Sequence, residues 1–409
     1  MGLRKTARKT ARRIAKQARK TARMIRKKSG APARRLAVLR ARNAEIDPNK
    51  IAIITLNGSY SCNPKYIDIQ LRKEGKPYDV VWLLADMSKA DSYPADARVV
   101  NLTSPEGIME AYTAKIWLDN GVMFSERFEK RLEQAHIQTM HGSLGIKKLD
   151  NAILSRQKKG KHGLEVIRRE SENTDFVLTN SLFEEDAFKT VFWKDCTMLR
   201  LGHARTDILF DEDEEKKAAL RERLYADYGI PVDHKLVLYA PTHRHGISLD
   251  DLNIDYPALC EALSQRFSGD FSVMVRFHHR TKGLHLGPDS RAYDVTSFPD
   301  IQELMWVTDI AITDYSSWIY DYVLTRRPGF IYATDIEYYV DRTGFFYPLE
   351  ETPFPLAKSN EELIANVASF DEDAYAARVQ EFLDDKVCVD DGHAAERAVK
   401  LIDRIMEEW

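Results

Sequence analysis

The sequence predicts an α/β protein with two domains, each built around a mainly parallel sheet. The chain has 409 residues, which is more than one ordinary hydrophobic core accommodates. Short apolar segments typical of strands alternate with longer segments typical of helices, and this alternation indicates βαβ units. The alternation stops at a charged helical stretch, residues 211–229, and then starts again. Two α/β domains that face a common cleft are therefore expected.

A strongly basic segment precedes the first predicted strand. Residues 1–42 contain seventeen Lys and Arg and no Asp or Glu, so the rest of the chain has a net charge of −20. Small apolar residues recur every three or four positions until Gly30 and Pro32, which is the spacing of one helical face. We interpret residues 1–45 as a basic helical arm that docks on an anionic membrane surface, chiefly through charge.

Two other interpretations of this arm compete with membrane docking. A solvated, disordered tail is the simpler one. Binding to nucleic acid is disfavoured, because the arm contains no aromatic side chain and no base-reading fold follows it. We therefore expect no nucleic-acid partner.

The first domain is expected over residues 46–210. Its strands are predicted at 50–58, 78–86, 97–104, 114–121 and 174–181. Helices are expected between strands, for example at 125–134 and 183–193. The apolar segment that ends at Met140 reads as a further short strand.

The second domain is expected over residues 211–409, with helices at its C-terminal end. Predicted strands lie at 235–244, 271–280, 292–297, 309–314 and 328–335. Predicted helices lie near 255–268 and at 316–327, 373–385 and 393–409. Parallel strands with intervening helices again account for this pattern.

Several classes of protein are excluded by what the sequence lacks. The four cysteines, Cys62, Cys196, Cys260 and Cys388, are far apart and form no CxxC pair, so we expect reduced thiols rather than a zinc site or a disulfide framework. No apolar run approaches eighteen residues, and no secretory leader is evident at the start. Neither a P-loop nor a GxGxxG motif occurs.

Polar clusters follow four of the predicted strands. They are HGSLGIKK (141–148), PTHRHG (241–246), RFHHR (276–280) and DYSS (314–317). The carboxyl ends of parallel strands are where ligands bind in open α/β sheets. Hydroxyl groups and backbone N–H groups at the start of a helix suit phosphate, and the residues after DIAIT are expected to begin such a helix.

These clusters resemble motifs of the glycerophosphotransferases that use CDP-glycerol, and of their ribitol-phosphate relatives, in bacterial teichoic acid and capsule assembly. The resemblance covers about residues 100 to 370. The matching segments are His141–Lys148 (HGTxxKK-like), Gly202–Asp207 (GxPRxD-like), Tyr239–Arg244 (YAPTxR), Arg276–His278 (RxHP-like) and Ile312–Tyr332 (ITDYSSxxxDxxxxxxPxxxY). Two departures occur: Ala204 and His279 each stand where the family pattern has proline.

The resemblance implies a GT-B-like fold whose C-terminal domain binds most of the donor nucleotide. It also implies a reaction at phosphorus, in which an acceptor hydroxyl attacks the β-phosphate of CDP-glycerol and CMP leaves. The implied acceptor is a lipid-linked saccharide, and the implied location is peripheral, at the cytoplasmic face of a bacterial cell membrane. A basic arm on residues 1–42 would suit that location.

The same resemblance implies the site residues. His141 is the candidate general base, since neutral histidine takes a proton readily near pH 7. His278 would stabilise the phosphate or protonate the leaving group. The roles of His141 and His278 could be exchanged. Expected substrate and nucleotide contacts are Gly142, Ser143, Leu144, Gly145, Arg205, Pro241, Thr242, Arg276, Phe277, Ser316, Ser317 and Asp321.

Specific roles follow for some of these residues. Arg205 and Arg276 would pair with diphosphate oxygens, where a planar guanidinium outperforms lysine. Thr242, Ser316 and Ser317 would donate hydrogen bonds to the diphosphate or ribose. Asp321 lies one helical turn beyond Ser317 and would reach hydroxyls of the donor.

No metal ligand set is predicted at the cleft. Asp207, Asp314 and Asp321 fall near it, but their spacing forms no tight carboxylate cluster. No cofactor is expected, although Mg²⁺ bound to the donor diphosphate is compatible with the pattern.

Three alternatives stay open at the level of sequence. The donor could be CDP-ribitol, or the chain could be a GT-B glycosyltransferase that uses a nucleotide sugar. A non-enzymatic scaffold at the membrane surface is the third, and it leaves the His and Arg clusters unexplained.

Overall fold

The structure is a computed structural model of the chain. It describes residues 33–145, 147, 148, 160–191, 193, 196–242, 254–277, 286, 290–337, 339 and 344–409. Outside the described residues lie Arg244, His278, His279 and residues 1–32 of the basic arm. The structure therefore does not test what is expected of them.

The first sheet contains seven parallel strands within the described part of the chain. They are β1 (Asp47–Ile54), β2 (Asp79–Leu84), β3 (Arg98–Asn101), β4 (Ala114–Asp119), β5 (Ala135–Gln138), β6 (Phe176–Thr179) and β7 (Thr197–Arg200). Their order across the sheet is β3-β2-β1-β4-β5-β6-β7. The helices along this half of the chain are α1 (33–42), α2 (Cys62–Lys73), α3 (Pro105–Thr113), α4 (Gly160–Asn173) and α5 (Leu182–Val191).

The second sheet has six strands among the described residues, again all parallel to their neighbours. They are β8 (Lys235–Tyr239), β9 (Phe271–Val275), β10 (Ala292–Asp294), β11 (Ile310–Thr313), β12 (Gly329–Tyr332) and β13 (Leu356–Ala357). Their order is β10-β9-β8-β11-β12-β13. The accompanying helices are α6 (Glu214–Tyr228), α7 (Tyr256–Phe267), α8 (Ile301–Val307), α9 (Ile319–Tyr322), α10 (Asn360–Ala368), α11 (Glu372–Asp385) and α12 (Ala394–Glu408).

Both sheets have the strand order of a Rossmann-like domain. In each, the first strand of the unit lies centrally, and the chain reverses direction across the sheet between β1 and β4 and between β8 and β11. Ligands bind at such switch points, beyond the carboxyl ends of the strands. The predicted α/β class with two Rossmann-like domains, the GT-B-like arrangement, is confirmed.

The strands are buried on both faces because helices cover the sheets. Ile51, Ile53 and Ile116 pack into one apolar cluster, whereas Ala52 and Trp117 pack into another on the opposite face. Alternate residues of one strand therefore contribute to two cores, as the pleat requires.

The last helix packs on the first sheet, although chain order assigned residues 393–409 to the second domain. Val399, Ile402 and Ile405 of α12 lie in the same buried cluster as Ile51 and Ile53 of β1. The start of this helix is held by Asp207, whose carboxylate accepts hydrogen bonds from the backbone N–H groups of Ala394 at 3.0 Å and Ala395 at 2.7 Å. The expected boundary at residue 210/211 stays a prediction.

Helix α1 is part of the first domain's packing. Ala41 is buried in the cluster that contains Ala52 and Trp117, and Arg42 forms an ion pair with Glu129 at 2.7 Å. Arg34, Arg35 and Arg40 of this helix are exposed, and docking through residues 1–45 stays a prediction. No helix in the described ranges is long and apolar enough to cross a membrane.

The predicted helix at residues 125–134 is wrong. The chain makes a turn at 123–127 and another at 132–133, with irregular backbone between them. Phe124 stacks on Trp117 with ring centroids 4.6 Å apart, and the side chain of Gln134 donates to the carbonyls of Ala111 and Ala114. These long-range contacts outweigh the local helical preference of the segment.

The predicted helix at 316–327 is much shorter than expected. Its α-helical part is the four residues of α9, followed by a 3₁₀ turn at Val323–Thr325. Ser316 and Ser317 precede this helix rather than open it. The expected long helix is therefore absent at this point of the described chain, and phosphate binding by these two residues stays a prediction.

Candidate active site

Motif segments from both domains meet at the carboxyl ends of the strands. Thr242 follows β8 and Asp314 follows β11, so both lie at the switch point of the second sheet. The backbone N–H of Thr242 donates to Asp314 Oδ1 at 2.9 Å and Oδ2 at 3.1 Å. The N–H of Tyr315 also donates to Asp314. Asp314 therefore joins the loops that contain Pro241, Thr242, Ser316 and Ser317.

The hydroxyl of Thr242 is available for a ligand. Its Oγ1 is buried and has no hydrogen-bond partner within the described parts of the chain. Buried hydroxyl groups are ordinarily satisfied. This oxygen is therefore suited to a donor phosphate or ribose.

His141 follows β5 and extends into the cleft. Its Nδ1 lies 2.7 Å from the backbone carbonyl of Asn120, just after β4. A carbonyl only accepts, so Nδ1 carries the proton in the neutral ring and the lone pair is on Nε2. The dense protein around the ring lowers the pKa of His141, and the Arg205 guanidinium acts in the same direction. His141 lines the cavity described below, where Nε2 can accept a proton.

The loop after His141 crosses from the first domain to the second. Ser143 Oγ accepts from Asn180 Nδ2 at 2.8 Å, whereas Leu144 is buried in the core of the second domain. A Cβ on Gly145 would lie 3.2 Å from Ser317 Cβ. Glycine therefore allows the HG and DYSS segments to approach closely.

Arg205 and Asp321 form a buried ion pair between the two domains. Arg205 Nε donates to Asp321 Oδ2 at 2.7 Å and Nη2 donates to Asp321 Oδ1 at 2.9 Å. Nη2 also donates to the carbonyl of Gly142 at 2.6 Å, and Nη1 lies 3.4 Å from His203 Nδ1. Arg205 and Asp321, both expected to contact the nucleotide donor, are thus bonded to each other. A direct contact of either residue with the donor stays a prediction.

Arg276 directly follows β9. Its Nη2 donates to the carbonyl of Phe298 at 3.1 Å, and its Nε has no partner among the residues that the structure describes. Burial lowers the pKa of Arg276, although Asp300 opposes this effect. Phe277 is fixed by a backbone hydrogen bond to Thr296 Oγ1 at 3.0 Å.

Sequence reasoning missed a group of buried polar residues that hold these loops. Asn63 donates to the carbonyls of Thr139 and Met140, directly before His141, and accepts from the N–H of Arg205. His203 Nε2 lies 2.9 Å from Glu184 Oε2. These residues come from separate parts of the chain, so no local motif signals them.

Asp390 is a further residue of this group. Its carboxylate accepts from Asn180 Nδ2 at 2.7 Å and from the N–H of His203 at 2.7 Å. Asn180 also holds Ser143, so Asp390 supports both the HG loop and the loop that contains Arg205.

A cavity of about 370 Å³ lies beside His141, between the two domains. Gly142, Ser143, Gly145 and Ser317 line it together with His141. Apolar side chains form much of the remaining wall, including Leu56, Val122, Phe183 and Phe346. The structure therefore brings five of the expected site residues to one cavity, including the imidazole of His141.

Comparisons with known proteins agree with these motifs. The chain is 29% identical over 368 residues to the teichoic acid poly(glycerol phosphate) polymerase of Bacillus subtilis (strain 168), which covers 85% of this chain and 48% of that protein. It is 32% identical over 212 residues to the teichoic acid poly(ribitol-phosphate) polymerase of Bacillus spizizenii, covering 50% of this chain and 33% of that protein. The chain thus spans half or less of the length of these two relatives.

Among solved structures, the Wall Teichoic Acid Polymerase TagF has a similar fold. The two chains superpose with a TM-score of 0.79 at 26% identity, covering 92% of this chain and 93% of that chain. The likeness therefore includes both domains. The family model described as CDP-Glycerol:Poly(glycerophosphate) glycerophosphotransferase matches residues 36–404, and the chain belongs to this family.

Proposed function

We propose that the chain transfers glycerol phosphate from CDP-glycerol to a hydroxyl of a lipid-linked saccharide acceptor, with release of CMP, in teichoic acid synthesis. Membership of the family over residues 36–404 is the observation that carries this proposal. The geometry at His141 supports it, because a neutral imidazole with a free Nε2 faces a cavity between the two domains.

The reaction would begin at Nε2 of His141. This nitrogen takes the proton of the acceptor hydroxyl while the hydroxyl oxygen attacks the β-phosphorus of CDP-glycerol. A new P–O bond forms to the acceptor as the bond from the β-phosphorus to the bridging oxygen breaks. CMP departs with that oxygen and its electron pair, and glycerol phosphate remains on the acceptor.

The second domain would hold the donor. The unpartnered Thr242 hydroxyl supports this assignment, as do the half-buried Ser316 and Ser317 at the adjacent strand end. Cationic and N–H groups are needed there because the transition state distributes negative charge over the phosphoryl oxygens. Arg276 directly follows β9, the neighbour of β8 in the sheet, and its buried Nε has no partner among the described residues. His278 follows it two positions later in the sequence.

CDP-ribitol is the second candidate donor. It is favoured by the relative that is 32% identical over 212 residues and is named a poly(ribitol-phosphate) polymerase. Glycerol is preferred because the relative that matches 85% of this chain is named a poly(glycerol phosphate) polymerase.

The enzyme would work at the cytoplasmic face of the membrane, where a lipid-linked acceptor meets a soluble donor. The thirteen Lys and Arg within residues 1–32 support peripheral docking on anionic lipid. The body of the chain is acidic, so the arm would orient the molecule as well as attach it.

A donor competition assay tests the proposed reaction. The full chain is incubated with a lipid-linked acceptor and with CDP-glycerol, CDP-ribitol or a UDP-sugar, and the released nucleotide is quantified. We expect CMP from CDP-glycerol, at a rate that depends on the acceptor. Faster release of CMP from CDP-ribitol would show that ribitol phosphate, not glycerol phosphate, is transferred. Release of UDP without CMP would show that the enzyme is a glycosyltransferase instead.

A further inference from the structure

A second cluster of chemically competent side chains lies inside the first domain, behind the loop that contains His141. Asp119 ends β4, His136 lies in β5 and Glu170 lies in α4, and all three are fully buried. One possible ligand atom from each residue lies within 4.8 Å of the other two. The proposed transfer reaction uses none of them.

The imidazole of His136 has unused bonding capacity. Neither Nδ1 nor Nε2 has a hydrogen-bond partner among the residues described here. Asp119 Oδ1 lies 3.6 Å from Nε2, which is too long for a hydrogen bond. Buried polar groups are ordinarily satisfied, so a histidine with two free nitrogens requires an explanation.

The two carboxylates are also incompletely neutralised. Gln138 Nε2 lies 2.5 Å from Asp119 Oδ1 and 2.7 Å from Glu170 Oε1, and it also approaches the carbonyl of Gly121. This amide has two hydrogens for three acceptors. Its orientation is fixed, because Gln138 Oε1 accepts from the N–H of Met140 at 2.8 Å.

No positively charged side chain in the described ranges is bonded to this cluster. The nearby Lys130 instead pairs with Asp175, at 2.5 Å. Glu170 Oε2 has no hydrogen-bond partner in the described ranges. Two buried carboxylates and one unpartnered imidazole therefore converge on the same point.

We propose that Asp119, His136 and Glu170 bind one divalent transition-metal cation. One imidazole nitrogen and two carboxylates are donors that suit Zn²⁺ or Mn²⁺. A dication would balance both carboxylates and would bond to one of the two free nitrogens of His136. One cation therefore accounts for one missing bond of His136 and for the missing bond of Glu170 Oε2.

The role of this site is structural. The carbonyl of Asp119 accepts from the N–H and the hydroxyl of Thr139, at 2.9 and 3.0 Å, and the next carbonyl, of Asn120, accepts from His141. A cation bound to Asp119 and His136 therefore fixes the ends of β4 and β5. These are the strand ends that position the proposed base.

Metal analysis of the wild-type full chain tests the site without reference to activity. Protein purified without chelator should contain about one equivalent of zinc or manganese. Stripping the metal should lower Tm by about 5 °C or more, and ZnCl₂ or MnCl₂ should restore it. Less than about a tenth of an equivalent, with no change in Tm on adding either salt, would overturn the proposal.

A pair of variants locates the metal. Glu170→Gln keeps the shape of the side chain but removes an anionic ligand, so the folded variant should lose at least about nine-tenths of the metal. Glu172→Gln is the matched control, because Glu172 is exposed on the same helix and pairs with Arg168. Full metal content in folded Glu170→Gln would overturn the assignment. If Glu170→Gln does not fold, the metal content and the Tm of the wild-type chain alone decide whether the site exists.

Discussion

At the scale of single residues, one hydrogen bond determines what His141 can do. The carbonyl of Asn120 fixes the proton on Nδ1 and leaves Nε2 as the basic atom. Burial and Arg205 lower the pKa of His141, so the ring is neutral at pH 7. Both effects suit a general base and would hinder a general acid.

Replacement of His141 tests its proposed role. His141→Ala should lower kcat for CMP release by a factor of roughly 100 or more, because the acceptor hydroxyl loses its base. CDP-glycerol affinity, measured by calorimetry, should change much less. His393→Ala is the control, since His393 is exposed at the start of α12. A folded His141→Ala enzyme at near wild-type rate would remove this residue from the mechanism.

The pH dependence of the reaction should follow the lowered pKa of His141. A base whose pKa lies below its usual 6.5 is more than half neutral at pH 6.5. We therefore expect the acid limb of kcat/KM to have its midpoint below pH 6.5, since protonated His141 cannot accept a proton. A midpoint at or above pH 6.5 would contradict a depressed pKa.

The hydroxyl of Thr242 should contribute to donor binding. Thr242→Val keeps the branched shape but removes the unpartnered Oγ1, so CDP-glycerol affinity should fall by about tenfold or more, as expected for a hydrogen bond to a charged group. Thr190→Val, at an exposed position of α5 in the first domain, is the control. Equal affinities of the two variants would show that the donor does not use this hydroxyl.

At the scale of secondary-structure elements, Asp207 links the GHARTD segment to the last helix. Its carboxylate accepts from two N–H groups at the start of α12. Asp207→Ala should lower the free energy of unfolding by about 1 kcal/mol, as for other lost helix caps. Urea denaturation measures this. Asp373→Ala, in the exposed first turn of α11, should have almost no effect, and equal losses in both variants would refute the capping role.

The strands could be predicted from the sequence because sheets buried on both faces require continuous apolar segments. β1, β4, β8 and β11 all show this pattern. The conformation of residues 125–134 could not be predicted, because it depends on contacts of Gln134 with Ala111 and of Phe124 with Trp117. The packing of α12 on the first sheet could not be predicted either, because it also depends on contacts outside the segment.

The candidate site was partly predictable for a related reason. His141 and Thr242 follow strands, so their location at the cleft follows from the sheet alone. The Arg205–Asp321 pair joins residues 116 positions apart, and the Asp119–His136–Glu170 cluster joins two strands and a helix. Local sequence contains no signal for either arrangement.

At the scale of the whole molecule, buried ion pairs connect the two domains. Arg205 pairs with Asp321 at 2.7 Å. Lys65 of α2 pairs with Asp300, directly before α8, at 2.6 Å and with Glu303 in α8 at 2.7 Å. Burial opposes a charge on Lys65, but the two carboxylates outweigh it and raise its pKa. Such pairs are costly to break singly, so they fix the relative orientation of the walls of the cleft.

The basic arm should determine where this two-domain body works. Deleting residues 1–32 removes thirteen basic side chains but keeps α1, whose Ala41 belongs to the core. Binding to anionic vesicles should be lost, because each basic residue near the surface contributes on the order of 1 kcal/mol. Turnover of a membrane-bound acceptor should then slow, whereas turnover of a short soluble acceptor should persist.

Binding of the intact chain to anionic vesicles should also weaken as salt rises, since charges are screened over about 8 Å at physiological ionic strength. Vesicle sedimentation measures both effects, with zwitterionic vesicles as the control. Equal binding of the truncated and intact chains would show that the arm is not what attaches the enzyme to the membrane.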